Sequence, residues 1–192
     1  MTKLPEWQTC CEKDFHNWRG KLPETHSTRR IRDAAEADLD AIVYIYNASI
    51  PGRLATADIE PVSTDSRRAW LLDRDPSRYP IWVIEQDLRV IGWLSFNKFY
   101  GRPAYNATAE VSIYVDPKAQ KAGVASQLLE HAFARASDLG FETLLAFVFA
   151  HNEPSVALCR KFGFQQWGHL PRVAVLDGIE RDLLILGKRL RG

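Results

Sequence analysis

The feature that most constrains this chain is the stretch 111–129, which reads as an apolar strand, a tight turn and a helix in direct succession. The strand is Val111-Ser-Ile-Tyr-Val115. The turn is Gln120-Lys-Ala-Gly-Val-Ala125, with small residues at Ala122, Gly123 and Ala125 and no acidic side chain between Gln120 and Ser126. Small residues let a ligand approach the backbone closely. The first N–H groups of the following helix have no partner inside it, and its dipole favours an anion. The turn is therefore read as a phosphate or pyrophosphate site at a helix N-terminus. Taken alone, the same residues also suit a plain strand–turn–helix with a packing glycine. Two other phosphate loops do not fit. Val124-Ala125 follows Gly123 where a Walker loop needs Lys-Ser/Thr, and Gly123 is the only glycine between Gly101 and Gly140, so the three-glycine dinucleotide fingerprint is absent.

The rest of the chain supplies a frame for that unit. Thr143-Leu-Leu-Ala-Phe-Val-Phe149 is a continuous apolar run, the pattern of a buried parallel strand. A helix then starts near Asn152, with Pro154 suited to its first turn and Gly163 to a left-handed C-cap. Upstream, residues 29–34 read as a strand. Residues 38–49 read as a helix with Leu39, Ile42, Val43 and Tyr46 on one face, and residues 65–72 as a helix that Pro76 stops. Residues 81–85 and 90–97 form a hairpin around Gln86-Asp87, and residues 107–115 form the next strand. The helix after the turn runs from Val124 to about Leu139, where Gly140 ends it. The last strands, 165–173 and 181–188, join at Asp177-Gly178. The expected fold is a mixed α/β sheet of seven strands, mostly antiparallel, flanked by about four helices. Residues 1–28 read as an added arm carrying Trp7, Phe15 and Trp18. Such an arm packs on the domain surface, swaps across a homodimer or closes as a lid, and the first is favoured because termini usually lack function. Residues 29–192 then form the domain.

Composition excludes several classes. The 192 residues carry a net charge of +1 with both signs evenly mixed, which speaks against a nucleic-acid footprint or a polybasic membrane patch. No run approaches the ~18 apolar residues that span a bilayer. The polar start, Met-Thr-Lys-Leu-Pro-Glu-Trp, lacks a signal-peptide core. Three cysteines cannot all pair, which points to a reduced, cytoplasmic setting. No Cys/His cluster has zinc spacing, so no metal is expected.

Gln120-x-x-Gly123-x-Ala125 after a strand, followed by Asn152-x-x-Ser155 and the Gly163-Phe164 turn, resembles the acyl-CoA loop and downstream helix of the GCN5-related N-acetyltransferase (GNAT) family. Further segments are similar to its phosphinothricin/methionine-sulfoximine branch: Tyr46-Asn47, Ile59-Glu-Pro-Val-Ser63, Arg67-Arg-Ala-Trp70, Tyr79-Pro80, Arg102-Pro-Ala-Tyr105 and Ala109-Glu-Val-Ser-Ile-Tyr-Val115. The resemblance spans about Arg29 to Leu190. It implies a sheet whose parallel strand pair splays apart, acetyl-CoA as co-substrate, and a small amino-acid-like amine as acceptor.

The resemblance also implies roles. Glu110 stands where the branch has an acidic residue before Ser-x-Tyr-Val. Buried there it would act as general base for an amine that is mostly protonated at neutral pH; otherwise it is an outward-facing strand glutamate. The backbone of Ile113, Tyr114 and Val115 would bond the pantetheine amides. Gln120, Lys121, Ala122, Gly123, Val124, Ala125 and Ser126 would hold the pyrophosphate, with Lys121 adding charge or standing solvated. Asn152, with Ser155, would either bond pantetheine or cap its helix. Arg102 and Tyr105 would face the acceptor, the guanidinium taking a carboxylate or phosphinate bidentately unless it is a surface arginine. Asn47 and Thr56 are further pocket candidates, whereas Trp93 and Phe96 read as core. The family often places a tyrosine, and this branch a histidine, where Cys159 stands, and a buried cysteine reads as packing. The branch's terminal Trp/His-Asp segment is replaced by Ile179-Glu-Arg-Asp182. Acetylation of a protein N-terminus or lysine, or a silent acyl-CoA-binding module, are the rival readings.

Overall fold

Strand β1 (Arg29–Asp33) opens a seven-stranded sheet in the order β1-β2-β3-β4-β5-β7-β6, seen in a computed structural model that describes residues 28–190. The expected arm, residues 1–28, lies outside the described residues except for Thr28. The other strands are β2 (Ile81–Gln86), β3 (Arg89–Lys98), β4 (Thr108–Val115), β5 (Thr143–Phe149), β6 (Gln165–Leu176) and β7 (Ile179–Arg189). The helices are α1 (Leu39–Ser49), α2 (Thr64–Leu72), α3 (Val124–Ala136) and α4 (Glu153–Lys161). Every pairing is antiparallel except β4 with β5. This is the mixed sheet with four helices that the residue pattern implies.

Both faces of the central sheet are covered, which is why β2 and β5 read as apolar runs rather than alternations. On one face, Trp82, Ile84, Leu94, Phe96, Ala109 and Val111 pack under Leu128, Leu129, Ala132 and Ala136 of α3. On the other, Ile81, Val83 and Trp93 pack against Ile42, Ile45 and Tyr46 of α1. Trp93 and Phe96 are core, as their apolar strand setting implies.

Several boundaries move. Helix α3 closes at Ala136, not Leu139, and a turn through Gly140, at φ 77°, completes the exit. The β2–β3 turn is Asp87-Leu88, one residue later than expected, with both residues left-handed (φ 52° and 62°). That strained, exposed leucine is not a residue that turn statistics select. The final hairpin is longer at its turn, because its left-handed pair Asp177-Gly178 extends β6 and β7 to the turn itself.

Candidate active site

Strands β4 and β5 pair only over Thr108, Ala109 and Glu110 against Thr143, Leu144 and Leu145. Beyond Glu110 they diverge, since β5 stays bonded to β7 through Phe149 while β4 stays bonded to β3 through Val115. The edge of β4 that faces β5 thus has no strand partner from Val111 onward. Backbone N–H and C=O groups at such an edge need other partners. The divergence opens a cleft of about 320 Å³. Its walls are Glu110 to Tyr114 of β4 and Ala146 to Phe149 of β5, with Asn152, Ser155 and Cys159 of the α4 segment and residues 54–57 of the α1–α2 connection.

Glu110 sits at the fork, half-buried, where burial raises its carboxyl above the ordinary range and a long 3.5 Å bond from the Ser112 hydroxyl partly offsets that rise. A carboxylate made more basic by desolvation suits proton acceptance near neutral pH. Ile113 and Tyr114 line the same cleft. Val115, at the end of β4, packs against the core.

The turn after β4 lies at the open end of the fork. Lys121 (φ 60°) and Gly123 (φ 78°, ψ 5°) are both left-handed, which curls the backbone into α3. Among the described residues no side chain caps this end, and the first N–H groups of a helix lack partners within it. Gln120, Lys121, Ala122 and Gly123 are exposed and Ala125 and Ser126 half-buried, whereas the Val124 side chain is buried and only its backbone can serve an anion. Arg29 of β1 donates to the Ala122 carbonyl at 2.6 Å, pinning the turn from a strand 93 residues away in sequence.

Asn152 has both ends engaged. Its Oδ1 accepts from the Ser155 N–H at 3.2 Å, capping α4, and its Nδ2 donates to the Leu54 carbonyl at 3.0 Å. The His151 ring nitrogen Nε2 lies 2.8 Å from the Arg53 carbonyl, and Arg53 pairs bidentately with Asp177 of the β6–β7 turn at 2.8 and 3.0 Å. Tyr46 of α1 shares its hydroxyl with Thr56 at 2.6 Å and Asp58 at 2.5 Å. The connection 53–58 is therefore a strap tied over the cleft from α1, α4 and the last hairpin. The residues point to Thr56 but not to the strap, because its ties to Asn152, His151 and Asp177 join residues 98 to 124 positions apart. Asn47 instead holds the Val62 backbone at 2.9 and 3.0 Å and does not line the cleft.

Arg102 and Tyr105 lie outside the cleft lining, Arg102 just before and Tyr105 at the end of a short 3-10 turn (Pro103–Tyr105) that leads into β4. Both are exposed, and Tyr105 packs with Phe99 and Tyr100 in an aromatic knot. Cys159 is buried on α4, and burial pushes its thiol up to about 11, a protonated packing group that also borders the cleft.

The chain as a whole is similar to known proteins. The acetyltransferase (GNAT) family profile matches residues 39–164. The Bacillus subtilis protein YwnH is 48% identical over 161 residues, covering 83% of this chain and 98% of that protein. The L-methionine sulfoximine/L-methionine sulfone acetyltransferase of Pseudomonas aeruginosa is 32% identical, covering 81% of this chain and 91% of that protein. Among solved structures, the phosphinothricin acetyltransferase of Sinorhizobium meliloti in complex with acetyl-CoA superposes with a TM-score of 0.80 at 29% identity, covering 84% of this chain and 88% of that one. A forked parallel pair, a left-handed turn leading into α3 and these likenesses together identify the chain as an N-acetyltransferase of the GNAT family.

Proposed function

We propose that this enzyme transfers the acetyl group of acetyl-CoA to the amine of a small amino-acid-like acceptor, of the phosphinothricin or methionine-sulfoximine type, by direct attack. One observation carries the reading: a half-buried, desolvated carboxylate stands at the point where β4 leaves β5, with an unpaired strand edge and an uncapped anion turn downstream. The relatives named for this acceptor class support the substrate.

Acetyl-CoA supplies an activated thioester carbonyl. The free edge of β4 at Ile113, Tyr114 and Val115 offers backbone partners to an amide-bearing chain lying in the fork. The turn 120–126 offers N–H groups to its diphosphate. Glu110 accepts the proton that the amine must lose as its nitrogen bonds to the acetyl carbon and the carbon–sulfur bond breaks. The departing thiolate is protonated from solvent after it leaves, and Cys159, pushed up to about 11 by burial, stays a packing group. Arg102, exposed on the approach to β4 and outside the cleft lining, is the guanidinium we assign to the acceptor's carboxylate.

A thiol-release assay tests the reading, run over methionine sulfoximine, phosphinothricin, the common amino acids, a polyamine and an N-terminal peptide. Amino-acid analogues are expected to turn over best. A preferred polyamine or peptide acceptor overturns the acceptor class, and thiol release with none of them overturns transfer to an amine.

A further inference from the structure

Glu110 is not alone on its face of the sheet. The β3–β4 register sets Ser95 opposite Ser112 and Asn97 opposite Glu110, so four polar side chains share one face of two neighbouring strands. Behind them stands Arg74, from the α2–β2 connection. Its guanidinium donates to the Tyr79 carbonyl at 3.0 Å, to the Phe96 carbonyl and to Asn97 Oδ1 at 3.2 Å. Among the described residues all its acceptors are neutral, and burial pulls it down to about 10, so it remains a cation at neutral pH.

An arginine can only donate. Asn97 must therefore turn its oxygen to Arg74 and its amide N–H₂ away. That amide donates to the Ser112 hydroxyl at 3.2 Å and to the Ser95 hydroxyl at 3.4 Å. Ser112 Oγ, accepting from Asn97, keeps its own hydrogen free to donate to Glu110 Oε1, a long contact of 3.5 Å. Each donor in the series Arg74, Asn97, Ser112 is oriented by the one before it, and the series ends on a carboxylate. A donor to the charged form favours that form.

Resting on the base role given to Glu110 above, we propose that Asn97 and Ser112 are positioning residues for catalysis. They relay the polarity of the half-buried Arg74 cation across the sheet and hold the Glu110 carboxylate in one orientation, ready to accept a proton from the acceptor amine. The other titratable groups around the fork do not compete. Cys159 on α4 and the Tyr114 phenol on β4 are both pushed up by burial and stay neutral, while Asp58 and Arg67 pair with each other beside Tyr46.

The sign follows directly. Removing a donor disfavours the carboxylate, so the acid limb of kcat/KM moves to higher pH. The test records that limb for wild type, Ser112→Ala, Ser112→Thr, Asn97→Ala and Glu110→Gln, with melting temperatures alongside. Ser112→Ala and Asn97→Ala are expected to shift the limb upward by about half to one pH unit. Ser112→Thr, which keeps the hydroxyl, restores it. A limb that stays in place in both alanine variants, even with activity or stability reduced, shows merely structural residues and overturns the proposal. Glu110→Gln separates the two failures. If that variant keeps the same acid limb, the base role itself falls, and the relay with it. If the limb vanishes there but does not move in Ser112→Ala, only the relay falls.

Discussion

Asn152 does two jobs that one substitution can separate. Replacing it with alanine removes the cap on α4, worth about 1 kcal/mol, and the bond to the Leu54 carbonyl, worth about 1 kcal/mol more. Asn152 is only 6% exposed, so water cannot easily take over either bond. Together these give a loss of about 2 kcal/mol, and in a chain of this size a fall of about 4–8 °C in Tm. Asn152→Asp keeps an oxygen for the Ser155 N–H and adds a charge that the helix N-terminus favours, by about 0.3–1 kcal/mol. It cannot donate to Leu54, so the strap over the cleft loses that tie in both variants. Losing about 1 kcal/mol of closure corresponds to about a fivefold rise in the KM of the acceptor. The expected pattern is a lowered Tm for both variants, since aspartate keeps the cap but turns an anionic oxygen on the Leu54 carbonyl, and a raised acceptor KM for both. Differential scanning fluorimetry and steady-state kinetics at saturating acetyl-CoA measure it. An aspartate variant with wild-type KM would show that the strap closes without Asn152, and an alanine variant with wild-type Tm would refute the cap energy.

Other substitutions probe other parts. Gly123→Glu forces a side chain and a negative charge onto a left-handed position with open space around it, so the fold should survive while acetyl-CoA binding is lost; unchanged affinity by calorimetry removes the loop assignment. Glu110→Gln should lower kcat at neutral pH by about 10²–10⁴-fold, with the loss shrinking at high pH as free amine accumulates; a kcat within a few-fold of wild type refutes the base. Arg102→Ala should raise the acceptor KM and leave acetyl-CoA affinity nearly unchanged, and an unaltered acceptor KM rejects that contact. Arg32 holds Asp38 at 2.6 and 2.8 Å and Glu85 at 2.5 Å, so Arg32→Ala strands a buried carboxylate and should cost about 3 kcal/mol in urea unfolding. Because Arg32 lowers the Asp38 carboxyl, that stability is present above the unfolded value near 4 and disappears as pH falls through the lower folded value, so acid unfolding should begin below about pH 4 in wild type. A wild-type urea midpoint for Arg32→Ala would reject the pairing energy.

Local chemistry was legible in the residues themselves. Small residues at 122, 123 and 125 before an amphipathic run specify an uncapped helix start, and the left-handed Gly123 is what that turn requires. The continuous apolar run of β5 signalled a strand buried on both faces, and Glu110 stood out as a charge in a strand of small and apolar residues. These are short-range properties, set by backbone sterics and by the period of a strand or helix. What the sequence could not hold was which distant groups meet. The Asn97 amide says nothing of its direction until Arg74 arrives from another segment to orient it. The strap needs Asn152 and Leu54, 98 positions apart, and Arg29 of β1 reaches the Ala122 carbonyl across 93 positions. The fork itself is a tertiary decision. Strands β4 and β5 separate after three paired residues because β3 and β7 hold them on diverging courses, and no residue within either strand encodes that competition.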